Sequence, residues 1–296
     1  MNMNGKILLF LALLLFASIT VYADEEQEQE TEELPAVVKI KNIFSYKLTM
    51  GYNFMYFEDT SNKNWFQTNR PWDFGIGLGI GNINIGFTFS LPFLYNKAYA
   101  RSQSFDINFN HYSKKNNLTS GYVKYYNRFH NHTDGDIDLR ILNLGFSYEH
   151  IFNKNHSLRS AYNLDVKQTV SNGSFIVGGG LFFTTIRANS EFLPYYDERK
   201  ITFYFGPDAG YSYTWVINGF FINVMSVVGI NGVVSNREFS FGVQALPRLS
   251  FGYHGKKIST NIYATSSFLA SGFTTKNMEY KLLSANIGIA FIRRFL

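Results

Sequence analysis

Two short stretches carry side chains that could do chemistry. The first is His111-Tyr112-Ser113. On an extended chain alternate residues point the same way, so His111 and Ser113 share a face. A histidine beside a serine can take its proton and make it a nucleophile. On the lipid side of a membrane protein, the pair would suit attack on an acyl ester. The longer H-x-S-N-G pattern of lipid-modifying enzymes is broken here by Lys114 and Lys115, and spacing assigns no third residue to orient the histidine. A strand end at the membrane interface explains the same residues. The second stretch is HNHTDGDID, 130–138, which sets His130, His132, Asp134, Asp136 and Asp138 at alternate positions. Closely spaced carboxylates suit calcium and paired imidazoles suit a transition metal. The EF-hand loop pattern is not met, and a hydrated external loop has the same composition. No glycine-rich phosphate loop opens a helix, so no cofactor is expected. Basic residues are scattered rather than clustered, so nucleic acid is not an expected partner.

The elements that would position these residues are strands. Phe44, Tyr46, Leu48, Met50, Tyr52, Phe54 and Tyr56 fall on one face, with Ser45, Lys47, Thr49, Gly51 and Asn53 on the other. The stretch WDFGIGLGIG, from Trp72, alternates apolar residues with Asp73, Gly75, Gly77, Gly79 and Gly81. The same period of two returns across about 250 residues, with turn residues between runs and no sustained helical period. Many runs reach 10–16 residues. A tilted membrane strand needs about 9–11, whereas soluble strands average about 5–6. Only a closed barrel lets strands cross lipid without unpaired edges. The chain contains no cysteine, which excludes both a disulfide framework and a lipoprotein anchor, and 18% of it is aromatic. The expected fold is all-β, a transmembrane antiparallel barrel with apolar residues facing lipid and polar residues facing the lumen.

Thirteen candidate runs start near 44, 72, 83, 104, 118, 137, 157, 174, 200, 220, 239, 257 and 280. Bacterial single-chain barrels have even strand numbers, with short turns inside and long loops outside. Placing the long link 188–199 outside requires one strand fewer between about 100 and 187, which gives about twelve (10–14 as the outer range). The runs from 118 and 137 are the weakest. The first has aromatics on both faces, and the second changes phase between Ile141 and Leu142, as at a bulge. Pro207 and Pro247 within runs mark further irregularities.

At the amino end Lys6, an apolar run over 7–19, and Val21 and Ala23 form a secretory signal, with cleavage expected after Ala23. Residues 24–41 make an acidic periplasmic tail and linker, and 42–296 make the barrel. The expected location is the bacterial outer membrane. The last run, NIGIAFIRRFL, resembles the terminal strand read by the barrel assembly machinery, an expected partner together with outer-membrane lipid. It ends in Leu296 instead of an aromatic, leaving Phe291 and Phe295 for that role.

Residues 70–93 (RPWDFGIGLGIGNINIGFTFSLPF), 110–117 (NHYSKKNN), 171–186 (SNGSFIVGGGLFFTTI) and 208–229 (DAGYSYTWVINGFFINVMSVVG) occur in an order that resembles the domain of unknown function 4421 family. The resemblance covers most of the mature chain. It implies a bacterial envelope β-barrel and carries over no catalytic residue.

Charge then suggests what the lumen could do. Residues 34–296 hold 26 basic and 15 acidic side chains, net +11, behind a run 24–33 with seven acids. Lys47, Arg159, Lys167 and Arg248 fall on expected lumen faces, and Gly75, Gly77 and Gly79 would leave space there. A basic lumen favours anions, and the acidic run could act as a loose electrostatic gate. The expected role is passage or binding of small, anionic solutes. A non-conducting structural or surface-interaction barrel is the alternative, and a lipid-modifying enzyme built on His111 and Ser113 the third reading.

Overall fold

A computed structural model describes residues 35–40, 44–59, 64–69, 72–93, 95–113, 117–131, 135–189, 199–235, 238–271 and 280–295. The barrel unit spans Ala36–Leu296. Its strands are β1 (Val37–Lys39), β2 (Phe44–Asp59), β3 (Asn64–Thr68), β4 (Asp73–Ile80), β5 (Ile83–Ser90), β6 (Gln103–Tyr112), β7 (Leu118–Asn131) and β8 (Gly135–Ile151). A short helix α1 (Leu158–Tyr162) follows, then β9 (Val166–Gln168), β10 (Asn172–Asn189), β11 (Lys200–Ile217), β12 (Phe220–Ser235), β13 (Glu238–Ala245), β14 (Arg248–His254), β15 (Ile258–Ser271) and β16 (Tyr280–Phe295).

Each long strand pairs antiparallel with its neighbour in sequence, and β16 pairs with β2 along its whole length, from Tyr280 opposite Asp59 to Phe295 opposite Phe44. The ring is therefore closed. β13 and β14 continue one register on β12, broken only at Leu246-Pro247, and together form one barrel strand. The count is twelve. β3 lies outside the ring order and bridges β2 to β7 beyond the shorter β4–β6.

The alternation has the expected sense. Ile80 and Phe175 on the outer face are 66% and 69% exposed, and Ile76, Leu78, Ile85, Phe203 and Ile230 share that face. Ser45, Asn53, Ser212, Asn223 and Asn261 point inward and are buried. An apolar exterior around a closed hydrogen-bonded ring is what a bilayer requires. The turns Gly81-Asn82 and Asn218-Gly219, the link 255–257 and both ends of the barrel chain share one rim, the periplasmic one by the short-turn rule. Asn218 and Gly219 take φ of 49° and 83°, the left-handed pair of a tight hairpin.

Three expectations are corrected. The superfluous run is neither 118 nor 137, which are β7 and β8, but 157: there the chain leaves the wall and makes α1 and β9. Leu158, Ala161 and Tyr162 stand at helical spacing, in a segment too short to display the period, so the polar and apolar alternation around them imitated a strand. The change of phase at Ile141-Leu142 is not a bulge, because β8 keeps one register on β10 throughout. Ile141 is apolar and yet points inward, where it joins a core cluster. The irregularity lies instead on β7, where the register shifts between Asn127 and Phe129 and Arg128 takes φ 56°. Pro207 remains within β11 and interrupts its ladder to β12 without a shift: Phe205 faces Gly232 and Asp208 faces Gly229.

Candidate functional site

The site is the lumen, and three layers fill it. At the periplasmic end the segment 152–171 folds inward as a plug. β9 pairs there with β1, Val37 opposite Gln168, so the residues just before the first barrel strand are part of it. Leu158 packs with Tyr112, Ile176 and Val227, while Ala161 and Leu164 pack with Phe221 and Ile292. The end of α1 is held by wall side chains. Lys47 Nζ donates to the Tyr162 carbonyl at 2.8 Å, and Ser250 Oγ and Asn261 Nδ2 donate to the Ala161 carbonyl at 2.9 and 3.0 Å. Tyr162 donates its hydroxyl to Asn223 Oδ1 at 2.5 Å, and Arg294 donates to the Leu164 carbonyl. These partners come from β2, β12, β14, β15 and β16, so the plug reaches across the barrel from its roots in β8 and β10.

Within the plug, Arg159 and Asp165 form a buried bidentate pair at 2.8 and 2.7 Å. Arg159 also donates to Asn82 Oδ1 at 2.8 Å and to the Gly81 carbonyl, tying the plug to the first turn. Arg159 and Lys167, expected on the wall, thus belong to the plug. Lys47 and Arg248 are on the wall, and the Arg248 guanidinium lies 5.6 Å from the centre of the Tyr162 ring.

At the opposite end the lumen is apolar. Met55, Phe57, Phe66, Phe129, Leu139, Tyr204 and Leu282, among others, form one buried cluster drawn from strands around the ring. The Tyr204 hydroxyl donates to that of Tyr280 across it. This cluster explains why the run from 118 carries aromatics on both faces: Tyr126 and Phe129 enter the lumen cluster while Tyr125 stacks outside on Phe105.

Between plug and cluster lie two adjoining cavities of about 220 and 280 Å³, which share Asp106, Asn108, Asn110, Arg248, Thr265 and Asn286. The lining is mainly amide and hydroxyl. Its charged members are Lys47, Lys124, Arg248 and Asp106, with Lys124 3.7 Å from Asp106.

The lumen glycines seat these polar groups. A Cβ at Gly75 would lie 2.2 Å from Thr49 Oγ1 and 2.8 Å from Thr88 Oγ1; one at Gly79 would lie 2.5 Å from Ser45 Oγ and 2.7 Å from Asn84 Oδ1. Gly77 has Lys47 Cβ at 3.4 Å. The glycines of WDFGIGLGIG therefore allow side chains of the flanking strands to lie flat across the wall. Gly178 does the same for two acids. Glu149 and Asp208, each 4% exposed, reach toward one another over it. Gln244 Nε2 donates to Asp208 Oδ2 at 3.2 Å. Sequence reasoning missed this pair because its members lie on strands two apart; the GGG run at 178–180 was the available signal.

The remaining sequence candidates are not brought together. His111 lies near the periplasmic end of β6, opposite Ile83 on the outer-facing register, and Ser113 lies in the following link, where its N–H donates to the Asn117 carbonyl. His132 and Asp134 are outside the described residues. His130 stacks on Tyr99, Asp136 accepts from the Ala100 N–H, and Asp138 pairs with Arg140 at 2.8 Å. Among the described residues no group of three His, Asp or Glu side chains is placed to hold a metal.

Residues 37–291 match the family described as domain of unknown function 4421. The chain belongs to that family. Its fold is a closed β-barrel with an apolar exterior. No functionally curated protein matches it. Among solved structures it is similar to the β domain of the Bordetella autotransporter BrkA (10% identity, TM-score 0.44, 86% of this chain and 100% of that one). It is also similar to the outer-membrane protease OmpT of Escherichia coli (6%, 0.36, 90% and 99%) and to an anion-selective porin of Comamonas acidovorans (8%, 0.28, 85% and 100%). These are likenesses of architecture, and none bears on what this family member does.

Proposed function

We propose that this protein is a closed outer-membrane barrel whose lumen binds a small polar solute, with passage only when the plug moves. One observation carries the reading: a polar chamber lies between a hydrogen-bonded plug and an apolar cluster of lumen side chains. Two of the cations first assigned to an anion-selective pore have other work: Lys47 holds the plug and Arg159 pairs with Asp165. Lys124, a lumen cation the sequence reading did not single out, faces Asp106.

The same double closure also favours a non-conducting structural barrel, and two measurements separate the readings. The refolded mature protein should give no steady conductance in a planar bilayer, yet should bind small polar solutes by calorimetry. A stable ohmic conductance from the native barrel would restore the open porin. Silence together with no binding across neutral, anionic and cationic solutes would leave the structural barrel.

A further inference from the structure

The chamber has more unmet hydrogen-bonding capacity than a sealed protein interior carries. Among the described residues Asn53 Oδ1, Asn261 Oδ1, Asn286 Oδ1 and Asn84 Nδ2 are buried without a protein partner. Asn53 and Asn261 are 5% and 2% exposed, and all four side chains line the two cavities. Asn53 and Asn286 face one another in register on β2 and β16. Glycines hold two of the amides in place: a Cβ at Gly51 would lie 2.8 Å from Asn286 Oδ1, and one at Gly79 2.7 Å from Asn84 Oδ1. No protein atom satisfies these four amide atoms, so the wall is suited to a ligand that supplies donors and acceptors together. Hydroxyl groups do both, whichever way each amide is turned.

Charge narrows the class. The chamber presents three cations and one carboxylate. Lys47 and Lys124 are engaged by the plug carbonyl and by Asp106. The Arg248 guanidinium rests on the Tyr162 ring and forms no ion pair among the described residues. An arginine fork so placed is suited to one carboxylate or phosphate.

Resting on the solute-chamber reading, we infer that the ligand is a monosaccharide-sized polyhydroxyl compound bearing a single anionic group. Its hydroxyls meet the Asn53, Asn84, Asn261 and Asn286 amides, and its anion meets Arg248. Carboxylate and phosphate share this chemistry, and the test separates them. Glucuronate, glucose 6-phosphate, glucose, acetate and inorganic phosphate are titrated by calorimetry into the refolded full barrel. Glucuronate or glucose 6-phosphate should bind about tenfold or more tighter than glucose, and tighter than acetate or inorganic phosphate. Arg248→Gln should abolish that preference while leaving weak glucose binding. Arg248→Lys should retain part of it, which guards against a merely misfolded variant. Asn53→Leu with Asn286→Leu should weaken both sugars. Equal binding of glucose and glucuronate would overturn the anionic part, and equal binding of acetate and glucuronate the polyhydroxyl part. In both cases the chamber itself stands. If none of the five binds, this inference falls; if solutes of the wider panel also fail, the chamber reading falls with it.

Discussion

Arg159 joins the plug to the wall, because one guanidinium serves Asp165 within the segment and Asn82 and Gly81 at the first turn. Removing it leaves Asp165 buried and unpaired. Breaking a buried pair this way costs about 3–5 kcal/mol. Arg159→Ala should free the plug while the ring survives. The expected result is rapid proteolysis within 152–171 in a barrel that still migrates as a folded species on unheated gels. His156, fully buried in the plug, gives a pH signature. Burial lowers its pKa from 6.5 to about 4. The released plug therefore takes up the proton more readily than the seated one. Seating is fully supported above pH 6.5 and weakens as pH falls toward 4, by at most about 3 kcal/mol. Protease sensitivity of the plug should rise between pH 7 and 4.5, and His156→Phe should flatten that profile. For His111 and Ser113 the account expects no catalytic effect: the double substitution to alanine should leave fold and membrane lipid profile unchanged, and loss of a lipase or deacylase activity would reverse that. Arg159 and Lys167 were legible as inward residues, but not as plug residues. Their alternation is compatible with a strand, and only the contacts of Leu158 and Ala161 place the segment inside.

For the strands, the period of two was enough to find all twelve, because lipid on one side and a polar lumen on the other impose opposite chemistry on successive residues. It failed where the lumen itself becomes apolar, at Ile141 and Phe129, since the two faces no longer differ. The glycines were legible as lumen-facing, but not in their purpose. That depends on which neighbour lies opposite, and register across strands is not written in one strand. Gly178 tests the idea. A Cβ there would lie 2.2 Å from the Tyr148 carbonyl and 2.4 Å from Glu149 Oε2. The carbonyl is backbone and cannot turn away, so Gly178→Ala should cost about 1–3 kcal/mol or more. At Gly75 the obstacles are two threonine hydroxyls, which can rotate. Gly75→Ala should therefore lower the urea midpoint of unfolding less than Gly178→Ala, and equal losses would count against the seating of the acid pair.

At the scale of the molecule, the signal segment and the acidic run 24–33 lie outside the described residues, and their roles stand as proposals from sequence. The barrel unit explains closure without them, since its own plug fills the periplasmic mouth. The chain has no cysteine, so one introduced thiol can report on the lumen. Ser267, inward on β15 opposite Ser284, lines the chamber, while Lys256 is exposed at a periplasmic turn. The decisive measurement is the rate at which a bulky membrane-impermeant maleimide labels Ser267→Cys and Lys256→Cys in the refolded barrel. The account predicts slow labelling at 267 and fast labelling at 256, with 267 becoming fast when residues 154–167 are replaced by a short turn. Labelling at 267 as fast as at 256 in the intact barrel would contradict the closed chamber.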